Sequence, residues 1–138
     1  MYVVLGNEAV DSKEFKNKIE SETDFKVVKD MCKGAKREDI LAYNLSVSID
    51  ILNEMIIEAG FNPKELSEDE LFDEYLTVAE DLALDLEELV GEDSVLDIKA
   101  YKWDPSSNDI KLVLVIADYE LPEVKVNDVV RRLLKQVE

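Results

Sequence analysis

Apolar and polar positions along the chain mark out a succession of short strands and helices. Tyr2 to Leu5 is β-rich and stops at Gly6-Asn7, which predicts a short first strand followed by a turn. Asp11 with Glu14 three residues on has the form of a capping box, opening a helix to about Glu20 with Phe15 and Ile19 facing inward. Phe25 to Lys29 reads as a second short strand. From Arg37 to Ala59 two periods coexist. Leu41, Tyr43, Leu45, Val47, Ile49 and Ile51 alternate as in a strand, while Leu41, Leu45, Ile49, Leu52, Ile56 and Ala59 make a helical stripe. The helical reading explains the whole length and the stop at Gly60 with Pro63 beyond, whereas the strand reading needs a break near Asp50, so one helix is the expectation here.

The cleanest amphipathic pattern follows. Ser67-Glu68-Asp69-Glu70 is a capping box, and Leu71, Tyr75, Val78, Leu82, Leu86 and Leu89 form an apolar stripe widened by Phe72, Ala79, Ala83 and Val90. The predicted helix runs from Ser67 to Val90, is closed by Gly91, and carries Leu84 as the one large apolar residue on its opposite face. Val95 to Trp103 and Ile110 to Tyr119 are β-rich and joined by turn-forming residues Asp104 to Asp109, which predicts a hairpin. The second of these strands is apolar on both faces, with Leu112, Leu114 and Ile116 on one and Val113, Val115 and Ala117 on the other, so helices or a second subunit must cover both. Pro122 ends it, and Asn127 is expected to cap a terminal helix with Val130, Leu134 and Val137 inward and Arg131, Arg132 and Lys135 outward. The expected fold is α+β: a small mixed or antiparallel sheet of about four strands, with a hairpin in the C-terminal half, packed against three to four helices. Residues 1–138 read as one domain, since a chain of this length matches the commonest domain size of about 100–150 residues.

Composition adds two things. With 46% hydrophobic residues the chain can build a core, and its longest purely apolar run, Leu112 to Ala117, falls far short of the roughly 20 residues that span a bilayer. The first residues lack a basic lead or a long apolar stretch, there is one cysteine and no histidine, and no motif asks for a cofactor; a cytoplasmic protein with no disulfide is the expectation. The formal charge of −17 opposes any approach to nucleic acid or anionic membrane. That charge is local. Residues 65–98 hold fourteen Asp and Glu and no Lys or Arg, so the rest of the chain sums to −3, and the most basic stretch lies earlier at Lys26, Lys29, Lys33, Lys36 and Arg37.

The acidic helix therefore carries the candidate chemistry. Like charges stand four residues apart at Asp69/Asp73, Glu70/Glu74 and Asp81/Asp85, and Glu87 and Glu88 fall where the helix dipole disfavours anions, so this surface is not arranged for stability. The leading reading is a non-enzymatic interaction or regulatory module that docks a basic protein partner through Asp69, Asp73, Glu80, Asp81, Glu87 and Glu88. A solvated face serving solubility is the plain alternative. A second reading is a Mg²⁺-dependent phosphohydrolase in which Glu70, Glu74, Asp81 and Asp85 share a metal with Glu54 or Glu58, although the spacing does not reproduce the paired Glu-x-x-Glu signature of such sites. A third is a structural subunit or homo-oligomer, with Tyr101 and Trp103 on a shared strand face and Val113 and Val115 as interface candidates. Cys32 sits between Lys29 and Lys33, cations that favour a thiolate, but with no histidine base an incidental buried thiol is expected. Lys33-Gly34-Ala35-Lys36 lacks the first glycine and the Lys-Ser/Thr ending of a phosphate loop, and Asn44-Leu45-Ser46 matches a glycosylation sequon by chance.

Overall fold

The computed structural model describes residues 1–137. The chain opens with a hairpin of β1 (Tyr2–Leu5) and β2 (Glu8–Asp11). Gly6 supplies the positive φ of +61° at the first position of the two-residue turn, as a type II′ hairpin requires. Asp11 then caps α1 (Ser12–Glu22) by accepting from the Lys13 N–H at 3.0 Å, and Phe15 and Ile19 face the core as expected. The strand β2 has no counterpart in the sequence reading, because four residues ending on a helix cap show too little alternation to register.

A four-stranded antiparallel sheet follows, made of β3 (Lys26–Asp30), β4 (Ile40–Ser48), β5 (Ser94–Asp104) and β6 (Asp109–Asp118) in the order β3-β4-β6-β5. This is the expected α+β architecture, hairpin included. The single helix expected over Arg37 to Ala59 is corrected: residues 40–48 are a central strand, and α2 (Ile49–Glu58) starts only after Ser48, whose hydroxyl accepts from the Asp50 N–H at 3.2 Å. The alternation was the true period. Leu41, Tyr43, Leu45 and Val47 pack into one core and Ile40 and Ala42 into the other, so both faces of β4 are buried. The α2 helix ends in a Schellman closure: Gly60, at φ +95°, donates to Ile57 O at 3.0 Å and Phe61 donates to Ile56 O at 3.2 Å.

After a short 3₁₀ turn at Pro63–Glu65, α3 covers Glu68–Ala83 and then tightens into a 3₁₀ segment at Leu84–Leu89, in place of one α-helix running to Val90. The apolar spacing accounts for the change. Tyr75, Ala79 and Ala83 recur with the α period, whereas Ala83, Leu86 and Leu89 recur every third residue, which keeps them on one side only at three residues per turn. The last helix, α4 (Glu123–Val137), begins a turn earlier than expected: Asn127 lies inside it, and the carbonyl of Pro122 accepts from the N–H groups of Lys125 and Val126.

Helices cover both sides of the sheet. The β1–β2 hairpin, α1, α2, α3 and the 3₁₀ segment pack on one face, while α4, Met31 and Ala35 pack on the other. Arg132 fastens the second layer by donating to Ala35 O at 2.7 Å, and Gln136 donates to Gly34 O at 3.1 Å. Both apolar faces of β6 are thus covered within one chain. Among the described residues no helix is long and apolar enough to cross a membrane.

Candidate functional site

The outer face of α3 and the 3₁₀ segment is built by a helix whose buried side is specified closely. Ser67 caps it through the Glu70 N–H at 3.2 Å, and Tyr75 anchors it twice, donating its hydroxyl to Asn53 Oδ1 at 2.6 Å and meeting Trp103 edge-on at 5.0 Å. Asp69, Asp73, Asp81, Glu87 and Glu88 then project to solvent, with Leu84 exposed among them as expected. Glu80 does not belong to this outer set. It is half-buried, and its Oε1 accepts the Ala100 N–H at 3.0 Å beside a β-bulge at Ala100–Lys102.

That bulge corrects a second expectation. An extra residue in a strand turns the following side chains to the opposite face, so Tyr101 and Trp103 are not on a shared face. Tyr101 packs with the α4 layer and donates its hydroxyl to Asn44 Oδ1 at 3.0 Å; Trp103 packs in the other layer between Phe72 and Tyr75. Val113 and Val115 are fully buried beneath α4 and present no surface for a partner. Cys32 is likewise inaccessible. Its Sγ lies against the backbone of Ala42, and burial pushes the thiol up to about 12, which overrides any influence of Lys29 and Lys33.

The carboxylates proposed as a metal shoulder are not gathered. Glu70, Asp81 and Asp85 are exposed, Glu74 is half-buried, Glu54 and Glu58 are exposed, and among the described residues no group of three or more His, Cys, Asp or Glu side chains converges in a metal-holding arrangement. The change to 3₁₀ geometry at Leu84 also removes the helical register that aligned Asp85 with Asp81.

Charge is separated across the sheet. The α3 helix packs over β5 at one edge, whereas the basic stretch lies on and just after β3 at the other; the 3₁₀ segment instead reaches back to α1 and to residues 22–25, which lead into β3. Among the described residues the five ion pairs involve Asp11, Asp39, Asp104, Asp109 and Asp128, so no carboxylate of residues 65–98 is paired. Folding adds further acid to this side. A groove of about 720 Å³ lies where the β1–β2 hairpin, α1, the end of the 3₁₀ segment and the end of β6 meet. It collects Glu8, Asp11, Glu14, Asp93, Asp118 and Glu120. Only one lysine lines it, Lys18, whose ammonium donates to Leu89 O at 3.2 Å. Tyr119 stands exposed at its rim, and the carboxylates of Glu120 and Asp93 push its hydroxyl above the ordinary tyrosine value. A smaller groove of about 290 Å³ flanks the 3₁₀ segment on its other side and adds Glu22 and Asp24. No linear count finds these additions, because hairpin, helix and strand ends from distant parts of the chain supply them. One local signal existed: a side chain at Gly6 would meet Asp118 Oδ1 at 2.9 Å, which marks a close approach of the hairpin to β6.

Comparison with protein-family models, with curated proteins and with solved structures finds no match to this chain.

Proposed function

We propose that the chain is a non-enzymatic interaction or regulatory module that docks a basic protein surface through the outer face of α3 and the 3₁₀ segment. The observation that carries this reading is the unpaired state of that face. Five exposed carboxylates, Asp69, Asp73, Asp81, Glu87 and Glu88, project from α3 and the 3₁₀ segment, and among the described residues none of them has an ion-pair partner. Such a face attracts a positive surface from a distance and gains most when a partner brings the missing cations. Solubility alone needs no separation of charge into one side of the fold.

Affinity capture from the native cell extract at low and high salt tests the reading. Wild-type protein retains a basic partner at low salt and releases it at high salt, and the fivefold variant Asp69→Asn, Asp73→Asn, Asp81→Asn, Glu87→Gln, Glu88→Gln retains much less. Capture that ignores both salt and these substitutions sinks the proposal.

A further inference from the structure

The four-stranded sheet ends in two outer strands, β3 and β5. An outer strand turns every second N–H and C=O away from its neighbour, and an incoming strand can pair with that row. The phase of the ladder shows which groups these are. On β5 the Tyr119 N–H donates to Asp93 O at 2.7 Å, and counting by twos from that pair along the register places the N–H groups of Leu96, Ile98 and Ala100 on the outer side. On β3 the Met31 N–H donates to Ala42 O at 2.8 Å; counting along β4 to Ser46, which pairs with Lys26, leaves the Val27 N–H on the outer side. Both outward donors beside the register shifts are already taken. The Ala100 N–H donates to Glu80 Oε1 at 3.0 Å, next to the bulge between Ala100 and Lys102, and the Val27 N–H donates to Glu20 Oε2 at 3.3 Å, next to the shift between Val27 and Lys29. In each case the glutamate stands on the helix that precedes the strand in the chain and packs against it, α1 for β3 and α3 for β5. We infer that Glu20 and Glu80 are edge guards, which keep a second copy of this chain from adding its own strand to the sheet, a role separate from the docking face. Bulge and carboxylate act together: the first breaks the straight ladder an incoming strand needs, and the second occupies the donor beside it. The need is greater on β5, which spans eleven residues against five for β3, where exposed Lys26 and Lys29 already set like charges along the edge.

Glu80→Ala provides the test, with light scattering at rising protein concentration as the measure of association and amide hydrogen exchange to locate the contact. Glu80→Ala is expected to associate at a concentration about tenfold lower than wild type, the scale of one donor released to an incoming strand. The outward amides of Leu96, Ile98 and Ala100 are expected to gain protection with concentration in the variant, while those of the central strand β6 stay unchanged. Glu80→Gln, whose amide oxygen still accepts, is expected to behave as wild type. A core truncation separates edge exposure from lost stability: Ile56 is buried in α2, which packs on α3 and the central strand β4, and whichever of Ile56→Val and Ile56→Ala matches the urea midpoint of Glu80→Ala serves as the control. Association by Glu80→Ala no stronger than by that control overturns the guard, as does wild-type protein whose own β5 amides gain protection with concentration. If Glu80→Ala does not fold, Glu20→Ala carries the same test on β3, since Glu20 is exposed: association above wild type with new protection at Val27 upholds the guard, and association equal to wild type overturns it.

Discussion

Glu80 and Asp97 are both half-buried carboxylates beside β5, and their surroundings decide opposite effects. Glu80 accepts the Ala100 N–H at the bulge, so its removal leaves a backbone donor unpaired. Glu80→Ala is expected to lower stability by about 1–3 kcal/mol, and Glu80→Gln, whose amide oxygen still accepts, to restore most of it, both read by urea denaturation. Asp97 has no ion-pair partner and lies on the α4 face opposite Val115. Burial first, with the carboxylates of Glu123 and, least, Glu80, raises it above its ordinary value of 3.8, against the opposing pull of the Ile98 backbone hydrogen bond and of Lys99. A raised acid holds its proton more tightly in the folded state, so it favours folding at low pH and opposes it once pH rises through the folded value. Asp97→Asn is therefore expected to raise the urea midpoint at pH 7, with the gain shrinking as pH falls toward 3.8. An inward charge on an edge strand also discourages pairing with a second copy. Cys32 offers a third check: native protein should resist thiol-labelling reagent at pH 8 and react only on unfolding, and rapid native labelling would contradict the burial described.

At the scale of elements, the acidic helix joins a well-specified buried side to a self-repelling outer side. Relieving the like-charge pair Asp69/Asp73 should stabilise the fold by a few tenths of a kcal/mol, and the gain should fade as salt screens the repulsion. Thermal unfolding of the fivefold outer-face variant at two salt concentrations measures this, and a variant less stable than wild type at low salt would contradict it. Much of this element was legible in sequence, since capping box, stripe and charge run are all local patterns. The hairpin β5–β6 and the two-sided burial of β6 were legible for the same reason. The failures share a physical cause. Over residues 40–48 the apolar residues satisfy two periods at once, and what settles the choice is pairing with β3 and β6, which no local window contains. Asn44, Ser46 and Ser48, poor in helix interiors, were the local clue. The bulge that parts Tyr101 from Trp103 and the switch from α to 3₁₀ at Leu84 are one-residue adjustments to tertiary packing, below the resolution of periodicity.

At the scale of the molecule, the fold turns a linear charge imbalance into a spatial one. Strand order β3-β4-β6-β5 holds the basic stretch and the acidic helix at opposite edges, and the grooves beside the 3₁₀ segment draw in Glu8, Glu14, Glu22, Asp24, Asp118 and Glu120 from distant parts of the chain. The acidic helix is legible in the sequence and the groove is not, because contributions scattered over most of the chain length leave no mark in a running count. Electrostatic docking has a kinetic signature: attraction between opposite fields accelerates encounter, and salt slows it steeply with little change in dissociation. The most direct test is therefore the association rate constant of the captured partner, measured against ionic strength for wild-type protein and for the fivefold outer-face variant. The account expects a steep fall with salt for wild type and a shallow one, from a slower start, for the variant; two parallel, shallow lines would contradict it.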